Sequence, residues 1–129
     1  MPTNIIHKEL SYIINGILFE VHNELGKYPS ESEVCDLIER KLSDLFIPYH
    51  REYVIVPTHP GEQVGRHRVD FLIDNKILLE IKCKRFLTKE DYFQIKRYLT
   101  HLNLTLGVLV NFREDRLHPK RILNGTGKD

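Results

Sequence analysis

Apolar residues recur at helical spacing through the first part of the chain, at Ile5, Ile6, Leu10, Ile13, Ile14, Ile17, Leu18, Val21 and Leu25. Steps of three and four put them on one stripe of a 3.6-residue helix, so the pattern predicts a long first helix that Gly26 can end. Ser30-Glu-Ser-Glu33 has the form of a capping box, in which a hydroxyl and a carboxylate satisfy the free N–H groups of a helix start. A second helix is therefore expected from Ser30 to just before Pro48. The period then changes. β-Prone stretches follow at about 52–57, 66–73 and 77–84, the first two joined by a polar loop from Thr58 to Gly65. A third helix should begin after Thr88 and run to about 102. The continuous apolar run from Thr105 to Phe112 suits a central strand covered on both faces, and Pro119 to Leu123 should add a short edge strand. This order predicts an α/β fold in one domain over 1–123, with a loose tail at 124–129.

Composition narrows the class without naming an activity. A chain of 129 residues, 41% hydrophobic and 29% charged, has ordinary globular usage and can bury one core. No apolar run approaches the roughly 20 residues of a membrane span. The amino terminus lacks the pattern of a signal peptide, so a cytoplasmic protein is expected. Cys35 and Cys83 have no C-x-x-C spacing and are expected as reduced, core-packed thiols. Net charge is only +1, but its distribution is uneven: residues 1–64 hold five Lys/Arg against ten Asp/Glu, and residues 65–129 hold fourteen against eight. Lys82, Lys84, Arg85, Lys89, Lys96 and Arg97 would offer counter-charges to a phosphate backbone, although a plain solvated surface has the same composition.

The candidate chemistry lies in that basic half. Arg68 to Ile73 and Ile77 to Cys83 are apolar, β-prone runs separated by Asp74-Asn75-Lys76, which is turn chemistry. A three-residue turn would pair Ile73 with Ile77 and carry Asp70 opposite Glu80. Strand alternation puts Lys82 on the same face as Glu80, with Leu79, Ile81 and Cys83 on the other. Two carboxylates a few ångströms apart repel unless a cation lies between them, and hard oxygen donors suit Mg²⁺ or Mn²⁺. The lysine can orient a water or neutralise charge developing on a phosphate, so the trio suits metal-assisted hydrolysis of a phosphodiester. A salt-bridged hairpin on a solvated face would use the same three residues.

The spacing of Asp70 and Glu80-Ile-Lys82 resembles the PD-(D/E)XK nuclease superfamily, whose core is restriction-endonuclease-like. A closer resemblance, over roughly residues 9–123, is to the small family called GxxExxY proteins. It rests on Ile14-Asn-Gly16, Glu20-Val-His22-Asn-Glu-Leu-Gly26, Glu31, Arg68-Val-Asp70, Glu80-Ile-Lys82, Gln94-Ile-Lys-Arg-Tyr98 and Leu106 to Phe112. In the stretch that names the family, Tyr28 stands at its glycine and Val34 at its tyrosine, so only Glu31 is retained.

The resemblance implies a mixed sheet of about four to five strands flanked by helices, and a Mg²⁺- or Mn²⁺-dependent nuclease, with DNA favoured over RNA. Asp70 and Glu80 would bind metal, with the Ile81 carbonyl as a further ligand. Glu31 would complete the site, with Glu20 as the alternative acid; Glu31 could equally serve only its helix amino terminus. His22 is expected as a surface histidine. Lys82 would act on the water or the transition state, Gln94 would assist, and Tyr98, Arg68, Lys84 and Arg85 would position substrate. Gln94 and Tyr98 stand four apart and so share a helix face. A core of this size is expected to cut with little sequence preference, or to gain specificity from a second copy in a homodimer or from a partner protein. A non-catalytic nucleic-acid- or protein-binding module that kept the fold is the competing class.

Overall fold

The structure, a computed structural model, describes residues 5–56 and 67–125. The elements run α1 (Lys8–Leu25), α2 (Glu31–Asp44), β1 (Tyr49–Val54), β2 (Arg68–Ile73), β3 (Ile77–Lys82), α3 (Lys89–Leu102), β4 (Leu106–Asn111) and β5 (Lys120–Leu123). The strands form one five-stranded mixed sheet in the order β1-β2-β3-β4-β5. Among the described strands β3 and β4 alone pair in parallel, and α3 is the crossover that a parallel pair requires.

Local chemistry sets the helix ends. Ser30 accepts the Glu33 N–H while the Glu33 carboxylate accepts the Ser30 N–H, and Thr88 and Asp91 do the same for α3. At the end of α1, Gly26 takes a positive φ of 73°.

Two cores sandwich the sheet. On one face α1 and α2 bring Leu18, Val21, Val34, Ile38 and Leu42 against Phe71, Ile77, Leu79, Ile81, Val108 and Val110. On the other, α3 packs Ile95, Tyr98 and Leu99 against Val69, Leu72, Leu78 and Leu109. All six residues of β4 are buried, as a doubly covered strand requires. Gly107 admits α3 to close range, since a Cβ there would lie 2.7 Å from Ile95 Cγ2.

The first strand lies earlier than its sequence pattern suggests, at Tyr49–Val54 rather than 52–57. Tyr49 packs into the α1/α2 core and Tyr53 into the α3 core, with Glu52 between them at a left-handed φ of 52°. That break in alternation hides the strand from a period-two pattern. β3 ends at Lys82 rather than 84, because the Lys84 backbone pairs with the Asn111 side chain instead of a strand. The loop Thr58 to Gly65 and residues 126–129 of the tail lie outside the described residues. Asn124 is tied down, its N–H donating to the Thr105 carbonyl at 2.8 Å. Among the described residues no helix is long and apolar enough to cross a membrane.

Candidate active site

The site grows from the β2–β3 hairpin. Asp74 and Asn75 adopt left-handed φ values of 52° and 53°, as in the mirror-image turns that suit twisted hairpins. Ile73 pairs with Ile77, Leu72 with Leu78 and Phe71 with Leu79. One step further the ladder gives way to side chains. The Asp70 N–H donates to Glu80 Oε1 at 3.0 Å, and the Ile81 N–H donates to Asp70 Oδ2 at 2.7 Å. Alternation breaks at this point, since Phe71 belongs to the α1/α2 core and Val69 to the α3 core. Glu52, with its left-handed φ, lies on β1 opposite the break, between the Arg51–Phe71 and Tyr53–Val69 pairs. The strands diverge, and two carboxylates satisfy the backbone N–H groups that the divergence leaves without strand partners.

Burial makes this arrangement electrostatically costly. Glu80 is 6% exposed, and desolvation, then the neighbouring Asp70, push its carboxyl up to about 8. The Lys82 ammonium lies 3.6 Å from Glu80 Oε2 and 3.9 Å from Asp91 Oδ1. Asp91 in turn holds Lys84 at 2.6 Å. Burial acts to raise the Asp91 carboxyl, but Lys84 and the Thr88 N–H and hydroxyl outweigh it and hold it below its ordinary value. One buried carboxylate thus starts α3 and secures two lysines from the end of β3. The sequence reading missed Asp91 as a site residue; its signal was Thr88-x-x-Asp91, a second capping box. Asn111 was missed too. It is 1% exposed; its Oδ1 accepts the Lys84 N–H at 3.1 Å, and its Nδ2 donates to the Lys84 carbonyl at 2.7 Å. Its signal was an amide closing an otherwise apolar run.

The remaining expected residues separate by position. Glu31 opens α2, and its carboxyl is raised by partial burial and then by Asp70, against Lys82, the Cys83 N–H and Lys84. Glu20 instead pairs with Lys41 at 3.2 Å. The His22 ring bonds the Glu114 carbonyl at 2.9 Å and lies edge-on to Phe112, a structural role. Tyr98 is 5% exposed and hydrogen-bonded to Gln94; its hydroxyl is raised by burial and then by Glu80. Arg68 and Arg85 are exposed, at the start of β2 and in the loop after β3. The structure therefore gathers Asp70, Glu80, Lys82, Lys84, Glu31 and Tyr98, with Gln94 joined through Tyr98, and leaves Glu20 elsewhere. Cys35 and Cys83 are free thiols; burial, then Asp70, pushes Cys35 well up, and burial, then Glu31, pushes Cys83 up to about 11.

Among the described residues no group of three or more His, Cys, Asp or Glu side chains is gathered closely enough to hold a metal by itself. Mg²⁺ does not require such a cage, because it takes one or two carboxylates and completes its shell with water and phosphate. Asp70 and Glu80 each commit one oxygen to a backbone N–H, and the two carboxyl groups also lie within hydrogen-bonding reach of each other beside a lysine, a pair of hard donors that a cation could bridge in place of a shared proton. The donor set fits a small divalent cation, with the Ile81 carbonyl next in the strand.

The mixed sheet carries paired acids and a lysine on its central strands, a donor set that suits metal-assisted cleavage of a phosphodiester. The chain matches the family model for the PD-(D/E)XK nuclease superfamily over residues 8–122, and it belongs to that superfamily. Membership carries nuclease as the activity class, nucleic acid as the substrate class and divalent metals as the general cofactor. The solved structure of SSO0001 is similar, with a TM-score of 0.53 and 19% identity over 90% of this chain and 67% of that one. At that identity the likeness concerns the fold. No curated protein matches the chain.

Proposed function

We propose that this protein is a Mg²⁺- or Mn²⁺-dependent nuclease of the GxxExxY branch that hydrolyses phosphodiester bonds, with DNA the favoured substrate. The observation that carries this is the replacement of the β2–β3 ladder by the Asp70 and Glu80 carboxylates, with Lys82 3.6 Å from Glu80. Placing two acids together costs stability unless charge is supplied, and a divalent ion held there would supply it and would provide Lewis-acid chemistry toward a phosphate. Asp70 and Glu80 would hold such an ion, with the Ile81 carbonyl as a further ligand, and Glu31 would add its charge from α2. Lys82 orients the attacking water or donates to the phosphate oxygen on which charge builds. Gln94 and Tyr98 position substrate beside Glu80, while Arg68, Lys84 and Arg85 receive flanking phosphates. The retained Glu31, electrostatically coupled to Asp70, supports the GxxExxY branch. The two free thiols support a reducing compartment, the cytoplasm. Sequence preference would come from a second copy of the chain or a partner protein.

The test is cleavage of single-stranded, duplex and branched DNA, and of the corresponding RNAs, with Mg²⁺ or Mn²⁺. We expect cleavage that stops with EDTA and is strongest on DNA. Tight binding with no cleavage by either metal would identify a binding module that kept the nuclease fold.

A further inference from the structure

The loop between β3 and α3 holds an aromatic ring in solvent. Phe86 is 73% exposed, yet its surroundings are fixed: the Asn111 amide bonds both backbone groups of Lys84, Leu87 packs into the α3 core, and Thr88 is locked in its capping box. The Arg85 guanidinium lies 5.8 Å from the ring centroid. Residues 81–89, Ile-Lys-Cys-Lys-Arg-Phe-Leu-Thr-Lys, include four cations and no acid. Lys82 and Lys84 are held by Glu80 and Asp91, whereas Arg85 and Lys89 have no carboxylate partner among the described residues. An exposed ring beside an uncompensated guanidinium suits a ligand that is both planar and anionic. A peptide hot spot would bring apolar neighbours to the ring, and the exposed neighbours of Phe86 in the loop are Arg85 and Thr88. Further along α3, Phe93, Lys96, Arg97, Thr100 and His101 line an open groove that repeats the mixture of aromatic and cation.

We propose that Phe86 and Arg85 form a stacking platform for an unpaired base of the strand whose phosphate is bound at Lys82, so that the protein favours substrates with single-stranded character beside the cut. Phe86 lies four positions after Lys82, so their Cα atoms are at most roughly 14 Å apart, which is about four steps of a stacked strand. The base engaged therefore lies within about four nucleotides of the scissile phosphate. This rests on nucleic acid being the substrate, and it names the form of substrate that the site selects.

The chain contains no tryptophan, so Phe86→Trp adds a unique fluorophore at the platform. Binding is measured in EDTA, where no cleavage is expected, to single-stranded DNA, single-stranded RNA, blunt duplex and polyglutamate. We expect the indole to be quenched by either single strand and not by polyglutamate. Phe86→Ala and Phe86→Leu should weaken single-strand binding by about fivefold or more while changing duplex binding less than twofold, and the tryptophan variant should retain it. Equal melting temperatures establish that each exposed-site variant folds. Unchanged single-strand affinity in Phe86→Ala, equal losses on single strand and duplex, or quenching by polyglutamate as strong as by the oligonucleotides, would overturn the platform. Quenching and the alanine loss together, without cleavage of any substrate, would leave the platform standing and remove the nuclease assignment. Cleavage with an inert Phe86 would do the reverse.

Discussion

Replacing Glu80 with Gln should make the metal-free protein more stable at pH 8 than the wild type, although it removes a residue proposed to be catalytic. Glu80 is 6% exposed, and burial followed by Asp70 raises its carboxyl from 4.5 to about 8. Between those values the folded protein keeps a proton that the unfolded chain has lost. Folded molecules then bind more protons than unfolded ones, so stability falls as pH rises through this window. At about 1.4 kcal/mol per pH unit the full interval sets a ceiling of roughly 5 kcal/mol. A fall of at least ~2 kcal/mol is expected between pH 5 and pH 8. For a chain of this length that corresponds to a melting temperature lower by about 6–10 °C. The Gln side chain keeps an oxygen for the Asp70 N–H but has no proton to lose. Thermal or urea melts of both proteins in EDTA from pH 5 to pH 9 measure the difference between the two slopes, which removes the contribution of other groups. Parallel curves would refute the reasoning, because they would mean that Glu80 carries no burial penalty. Saturating Mg²⁺ should recover wild-type stability at pH 8 by about 2.7 kcal/mol at 100 times Kd and have little effect on the Gln variant.

Asp70→Asn should fold normally yet show a smaller Mg²⁺- or Mn²⁺-induced rise in melting temperature, because one ligand charge is gone; an unchanged rise would put the ion elsewhere. Asp91→Ala should cost roughly 1–2 kcal/mol in urea melts, since it removes the carboxylate half of the α3 capping box and the partner of Lys84 while Thr88 still caps the helix; a loss below ~0.5 kcal/mol would mean that this carboxylate secures neither. Gly107→Ala should destabilise by about 1–3 kcal/mol, since its Cβ would meet Ile95 Cγ2 at 2.7 Å; a neutral result would show that α3 can draw back from β4 without cost.

The hairpin was legible because its signals are local. Asp74-Asn75-Lys76 specifies a turn, alternation specifies the faces, and together they give the Ile73–Ile77 register. Helix starts were legible for the same reason, from Ser30-x-x-Glu33 and Thr88. The break at Asp70 was not, because it depends on Val69 and Phe71 choosing opposite cores and on Glu52 turning left-handed on β1, which are tertiary events. That same divergence brings Glu31, from a helix on the α1/α2 face, under the influence of Asp70. Asp91 and Asn111 were hidden by sequence distance. Asp91 reads locally as a helix cap, and Asn111, 27 residues from Lys84, reads as the end of a buried strand. Their roles emerge only once β3, β4 and α3 are packed.

The most direct test of the central claim is the single-turnover rate of cleavage by wild type and Lys82→Ala, purified in parallel with an Asp70, Glu80 and Lys82 triple variant and assayed with Mg²⁺ and Mn²⁺. Lys82→Ala should melt close to the wild type and keep its metal-induced stabilisation, yet cleave at least about 100-fold more slowly, the scale on which single transition-state donors act. The triple variant should be inactive. Cleavage persisting at the wild-type rate in the triple variant would contradict the account, because the activity would then belong to other residues or to a contaminating nuclease.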